Sequence, residues 1–283
     1  MSVLGSALLP AILAGMVAIL ATLAIERLGG RIGGLLASLP STIVPASIGF
    51  WWAAPHLSDF QHSMYAVPPG MLVTALFLWT WRVLPARLPQ KSLRQRLALM
   101  SGISLSIWCL CAALMVTLLP LLSVPLGLLA LGLALLQISL GAWVCARNPP
   151  APRGHRAVSR LMLLARGLLA ATAIGVSIWI AHLGIPLLAG MASVFPAIFL
   201  TTMVGVWLAQ GEAVPAGAVG PLMLGSASVS AYALLGSFLF PELGLAWGAL
   251  SAWILAIGGV SVPAWWWLRS RSQTETDPSA PQN

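Results

Sequence analysis

The side chains in this chain with the types and spacing to do chemistry are mostly hydroxyls, and they flank two prolines. Ser38, Ser41 and Thr42 surround Pro40, and Ser193, Thr201 and Thr202 surround Pro196. A proline inside a helix removes a backbone donor and frees the carbonyl four residues earlier. On that rule Pro40 frees Leu36, Pro45 frees Ser41 and Pro196 frees Ala192. Inside a bilayer such carbonyls need water, a hydroxyl or a ligand, so each break is a candidate binding point for a small polar solute. The competing reading is that the breaks are packing kinks lined by ordinary small residues.

A second hydroxyl set is Ser226, Ser228, Ser230 and Tyr232, where Ser226 and Ser230 stand four apart and share a helix face. They either line the same site or bond back to their own helix. Glu212, in the segment QGEAVP, is the carboxylate best placed for coupling to protons, against the plainer role of a solvated loop acid. His56, Asp59 and His62, spaced by three, are weak candidates for a transition metal. No fourth ligand accompanies them, so the expectation is plain surface groups, no bound metal and no cofactor. HExxH, GxSxG and GxxxxGK[ST] are all missing from the sequence, and the chain is not expected to be an enzyme.

These residues must be positioned by membrane helices. Hydrophobic residues make up 59% of the 283 and charged ones 7%, against roughly 25% charged in soluble domains. Runs of about 20 apolar residues, enough to cross a bilayer as a helix, recur throughout. Nine helices are expected, at 5–25, 32–54, 66–84, 97–119, 125–145, 161–182, 186–208, 214–238 and 244–268. The fold class is therefore an all-α polytopic membrane protein. Its expected organisation is a first half at 1–146 (helices one to five) and a basic cytoplasmic loop at 147–160. A second half at 161–268 (helices six to nine) and a disordered cytoplasmic tail at 269–283 complete it. No Lys or Arg precedes Arg27, so the first run reads as a retained span rather than a cleaved signal.

The formal charge of +8 reports topology rather than nucleic-acid binding. All 14 Lys and Arg residues fall on alternate loops: Arg27 and Arg31; Arg82, Arg87, Lys91, Arg94 and Arg96; Arg147, Arg153, Arg156, Arg160 and Arg166; Arg269 and Arg271. By the positive-inside rule the N-terminus is outside and the C-terminus cytoplasmic, in a bacterial inner membrane. Arg166 is expected to snorkel from within the sixth span. Trp51, Trp52, Trp79, Trp81, Trp143 and Trp265 to Trp267 stand at span ends and read as interfacial anchors. Cys109, Cys111 and Cys145 read as buried small hydrophobes.

The stretch 31–53 recurs at 187–209. Gly34, Pro40, Gly49, Trp51 and Ala53 reappear 156 residues on as Gly190, Pro196, Gly205, Trp207 and Ala209. Helix two enters from the cytoplasm and helix seven from outside, so the copies are inverted, a pattern typical of secondary transporters with broken helices. The segment GGLLASLPSTIVPASIGFW resembles the second helix of small GlpM-like bacterial membrane proteins, which implies two such units fused. Size and inverted halves are similar to those of drug/metabolite-type carriers, an architectural analogy.

The sequence thus points to a permease for a small neutral or anionic solute. A non-transporting scaffold is the main alternative, and an enzyme acting on lipid-linked substrates a lesser one. The partners expected are the lipid bilayer and a small-molecule solute, without nucleic acid; a homo-oligomer is compatible with the sequence.

Overall fold

The computed structural model describes residues 3–28, 39–147, 160–211 and 213–274. Helices dominate, and no strand occurs among the described residues. Seven helical stretches are long and apolar enough to cross a bilayer.

The first half holds α1 (Val3–Leu28), α2 (Ile43–Ala53), α3 (Leu57–Tyr65), α4 (Val67–Val83), α5 (Leu93–Leu118) and α6 (Leu126–Ala146). The second holds α7 (Arg160–His182), α8 (Pro186–Ser193), α9 (Ala197–Gln210), α10 (Ala213–Gly225), α11 (Ala227–Ala256) and α12 (Val262–Thr274).

Several boundaries differ from the sequence reading. The segment HLSDFQHSMY is mostly a helix, not a loop: α3 buries Phe60, Ser63 and Met64 and leads directly into α4. Pro68, in the first turn of α4, has no N–H to offer where none is needed, so the junction at Ala66 is inexpensive. Helix α5 starts at Leu93 because Ser92 and Gln95 form a reciprocal capping box. The last helix continues to Thr274, past the expected boundary at 268. The basic loop at 148–159 and the tail beyond 274 lie outside the described residues.

The longest apolar stretch, Val214–Arg271, has 58 residues, nearly three bilayer crossings if it were straight. It is not straight. Gly244 takes φ 76°, a left-handed conformation that favours glycine, and the chain doubles back there. Gly248 then lies so close to Leu239 and Phe240 that a Cβ would sit 2.7 Å from the Leu239 carbonyl oxygen. A five-residue π-turn, Ile257–Ser261, links α11 to α12.

Helices α1 and α7 make the most extensive helix–helix contact and run antiparallel. Ala11 lies against Gly175, Gly15 against Ala171, and Ile19 against Gly167. A Cβ on Gly15 would stand 2.8 Å from the Gly167 carbonyl oxygen; small residues let the two backbones touch, as membrane helices require.

Two apolar clusters hold the helices together, and the α1–α7 pair belongs to the first. One gathers α1, α2, α3, α7 and α11 around Phe50, Phe60, Tyr232 and Phe240. The other gathers α4, α5, α6, α8, α9 and α10 around Phe77, Trp81, Trp108, Met191 and Trp207. Leu110, Leu161 and Leu168, each more than two-thirds exposed, lie on the outward faces of α5 and α7.

Trp81 is not an interfacial anchor. It is fully buried with Trp207 in an edge-to-face pair, ring centroids 5.8 Å apart, and neither indole Nε1 has a hydrogen-bond partner. The cysteines depart from expectation too: Cys109 is exposed and Cys111 and Cys145 are half-buried. Cys109 shares its helix with outward-facing Leu110, and a thiol is apolar enough to face lipid.

Candidate functional site

The break in the second repeat copy is well defined. Helix α8 ends at Ser193 and α9 begins at Ala197, with Pro196 at the N-cap. The Ala192 carbonyl is not freed: the Phe195 N–H donates to it at 3.1 Å, closing a tight turn. The Val194 carbonyl is instead served by a side chain of another helix, since Thr74 of α4 donates its hydroxyl to it at 3.1 Å. Thr74 also accepts from the Trp108 indole N–H at 3.0 Å. One buried threonine thus ties α4, α5 and the break together. Ser193 donates to its own Gly190 carbonyl at 2.7 Å and so closes locally.

In the first copy Pro40 is buried, and Ser41 and Thr42 are half-buried. Ser41 N–H donates to the Leu39 carbonyl at 2.8 Å, and α2 starts two residues later. Pro45 frees no carbonyl, because it occupies the first turn of α2, where helical N–H groups have no partner. Ser38 and Leu36 lie outside the described residues, as does Glu212.

Thr201 and Thr202 are brought together around a residue the sequence reading sent elsewhere. Arg166 does not snorkel. It is only 6% exposed and sits six residues into α7, roughly 9 Å along its axis. Its Nε donates to Thr201 Oγ1 at 3.2 Å, Nη2 to Thr202 Oγ1 at 2.9 Å, and Nη1 to Thr22 Oγ1 of α1 at 2.5 Å. Each threonine hydroxyl in turn donates to a carbonyl of its own helix. The guanidinium is thereby held at the meeting of α1, α7 and α9. Arginines within apolar helices are rare and face the interior of a bundle.

Ser226 and Ser230 share a face as their spacing requires, and both turn to Gln137 of α6. The amide Nε2 donates to Ser226 at 3.1 Å, and Ser230 donates to Oε1 at 2.8 Å, all three being buried. Ser47 and Tyr232 join α2 to α11 through hydroxyls 2.8 Å apart. His56 caps α3, Asp59 lies in its first turn and His62 in its last. Among the described residues no group of three or more His, Cys, Asp or Glu could hold a metal.

Two recesses lie away from these contacts, and Arg166 lines neither. A cleft of about 350 Å³ opens between α5, α7 and α8, with the break residues Ala192 and Phe195 in its wall beside Trp108. A wider hollow of about 540 Å³ at the far end of α9 is bordered by Gly211, Gln90, Lys91 and Arg96. Arg96 is itself fixed there, donating to the Pro85, Leu88 and Pro89 carbonyls.

Sequence reasoning missed Arg166, Gln137, Thr22 and Thr74. Arg166 left a signal: with Ala170, Ile174, Ser177 and Ala181 it continues one buried stripe at helical spacing, which turns it inward rather than to lipid.

Apolar spans packed through glycines, outward-facing leucines and polar groups satisfied only inside the bundle define an all-helical, multi-pass integral membrane protein. No protein-family model, curated protein or solved structure matches the chain.

Proposed function

We propose that the chain is a nine-span permease for a small anionic solute, built from two inverted halves, with its N-terminus outside and its C-terminus in the cytoplasm. Nine spans follow from the seven long helices if α2 with its preceding segment is one crossing and the doubled-back stretch at Gly244 counts as two.

The inverted halves are supported by more than the repeat. An offset of 156 residues carries Leu57, where α3 starts, onto Ala213, where α10 starts. It carries Leu118, where α5 ends, onto Thr274, where α12 ends. The α1–α7 contacts obey the same rule. Exchanging partners at that offset turns the pair Ala11–Gly175 into Ile19–Gly167 and returns Gly15–Ala171 to itself. A two-fold axis between Gly15 and Ala171 produces that pattern, and an axis in the membrane plane is the mark of inverted-repeat transporters.

The observation that carries the substrate charge is Arg166. A guanidinium is always ionised and matches carboxylate and phosphate geometry. Here it stands between three helices, close to the Pro196 break, with exposed Lys91 at the hollow beyond α9 to draw anions in.

The test is uptake of labelled small carboxylates, inorganic phosphate and neutral solutes into proteoliposomes, beside thermal stability with each solute present. Wild type should take up and be stabilised by an anion. Arg166→Gln should lose both responses while still inserting, and Arg166→Lys should keep part of them. If the anion stabilises Arg166→Gln as much as wild type, Arg166 is a structural tie and the permease reading loses its support.

A further inference from the structure

We infer that the solute passes to the cytoplasm along the seam between α9 and α1, and that the structure is the cytoplasm-facing state, with the matching outer seam between α2 and α7 shut. The inference rests on the inverted-halves permease reading above and adds the route and the state to it.

The offset of 156 residues gives each half an internal control. It makes α2 the counterpart of α9, and α1 the counterpart of α7. A bundle with exact two-fold symmetry would bury α2 and α9 alike, and this one does not. On α2, Ile43, Ala46, Gly49, Phe50 and Ala53 are buried and share a face. Their counterparts Phe199, Thr202, Gly205, Val206 and Ala209 are all half-buried. The glycine and alanine pairs are identical residues, so the difference lies in what packs against them.

The two glycines show which neighbour is missing. A Cβ on Gly49 would overlap the Ile178 side chain of α7 and stand 3.4 Å from Pro10 of α1. Helix α2 is therefore seated on both members of the central pair. A Cβ on Gly205 would meet Met162 of α7 at 3.6 Å, and among the described residues nothing else lies within 4 Å. Thr22 of α1, the counterpart of Ile178, is not in reach. Helix α9 is thus seated on α7 and parted from α1. One turn nearer the break, the Arg166 guanidinium spans from Thr22 to Thr202 and fills the gap. The parted stretch is the end of α9 beyond it, from Gly205 to Ala209.

In the proposed orientation α2 ends outside and α9 ends in the cytoplasm. A seam shut at the outer end and parted at the inner one is half of an alternating-access cycle. Exchanging the two arrangements supplies the other half: α9 closes on α1 at Thr22 while α2 leaves Ile178. Gly205 carries no side chain to obstruct that approach.

The test is cysteine modification in the full-length protein lacking its native cysteines, in right-side-out and inside-out vesicles. The reagent is an impermeant methanethiosulfonate. It reacts with thiolates, which form in water and not in a packed core. Val206→Cys and Ala209→Cys should react from the cytoplasmic side, and the matched Phe50→Cys and Ala53→Cys should not react from outside. Gly49→Val, added to each, pushes α2 off Ile178. It should raise the outer modification several-fold and lower the inner one several-fold. Ile178→Ala loosens the same contact without added bulk and should shift both in the same directions, which covers the case in which Gly49→Val does not insert. An unreactive Val206→Cys would overturn the route. Inner modification that stays constant while the outer seam opens would overturn the assignment of a state, leaving a fixed asymmetry. Anion uptake by wild type that persists in those cases leaves the permease reading standing, whereas reciprocal modification without uptake of any anion would overturn that reading instead.

Discussion

Replacing Thr74 by Val keeps the shape of the side chain and removes one hydroxyl, which makes it a clean probe of the break. That hydroxyl has two partners, the Val194 carbonyl at 3.1 Å and the Trp108 indole at 3.0 Å, and the residue is fully buried. Thr74→Val therefore orphans an acceptor and a donor together. Leaving a buried polar group unpaired costs about 1–3 kcal/mol, which sets the range for two at about 2–6 kcal/mol. Hydrogen bonds in membrane bundles average only about 0.6 kcal/mol because the unfolded chain finds other partners in the membrane, so the lower end applies, about 2–3 kcal/mol. Trp108→Phe removes only the donor and leaves the Thr74–Val194 bond intact, at about 1 kcal/mol. In the Thr74→Val background the same change also removes an orphan. The double variant should then be more stable than additivity predicts by about 1–2 kcal/mol. The assay is reversible unfolding in mixed micelles for the full double-mutant cycle. A Thr74→Val cost within about 0.5 kcal/mol of zero, or two strictly additive costs, would refute the assignment of Thr74 as the group that satisfies the break.

Gly248→Ala should destabilise by about 1–3 kcal/mol through overpacking, since its Cβ would meet backbone at 2.7 Å. Gly102→Ala, with nothing within 4 Å, should be neutral or stabilise by up to about 1 kcal/mol through helix propensity; thermal melts of the two variants check the contrast. Gln137→Leu should cost no more than about 2 kcal/mol, because Ser226 keeps its own Met223 carbonyl and Ser230 can turn to its helix; urea or thermal unfolding reads it. In a variant lacking its native cysteines, Ser58→Cys should react with an impermeant thiol reagent from outside and Ser92→Cys should not. The reverse pattern would overturn the proposed orientation.

Length and composition made the membrane class legible, because a 20-residue apolar run has few other uses. The break at Pro196 was legible from the sequence, but its internal bonding was not. Which carbonyl goes unpaired depends on whether the chain ahead of the proline stays α-helical or tightens. Around Phe195 it tightens, which moves the open carbonyl from Ala192 to Val194. Trp81 misled for a similar reason: position near a span end suggests an interfacial ring, yet the facing Trp207 makes that end a buried core. The partner that Thr201 and Thr202 share is Arg166 of α7, far off in sequence, and hydroxyl spacing on one helix carries no information about it. The start of α3 was lost because LSDFQHSMY is polar enough to read as a loop, although Phe60 and Met64, four apart, mark a buried face.

Helix α6, Leu126–Ala146, falls between the stretches that correspond under the 156-residue offset. In the inverted-pair reading its effect is one of parity. A unit of four crossings starts and finishes on the same side of a membrane, so two such units joined by a soluble linker would lie parallel. One additional crossing reverses the second unit, and the odd helix is what turns tandem duplication into inversion. Deleting α6 would then leave every other helix intact while asking the second unit to insert upside down, with its arginines on the wrong face. Two separate copies of the four-crossing unit could build the same arrangement without α6 only if the polypeptide inserted in both orientations.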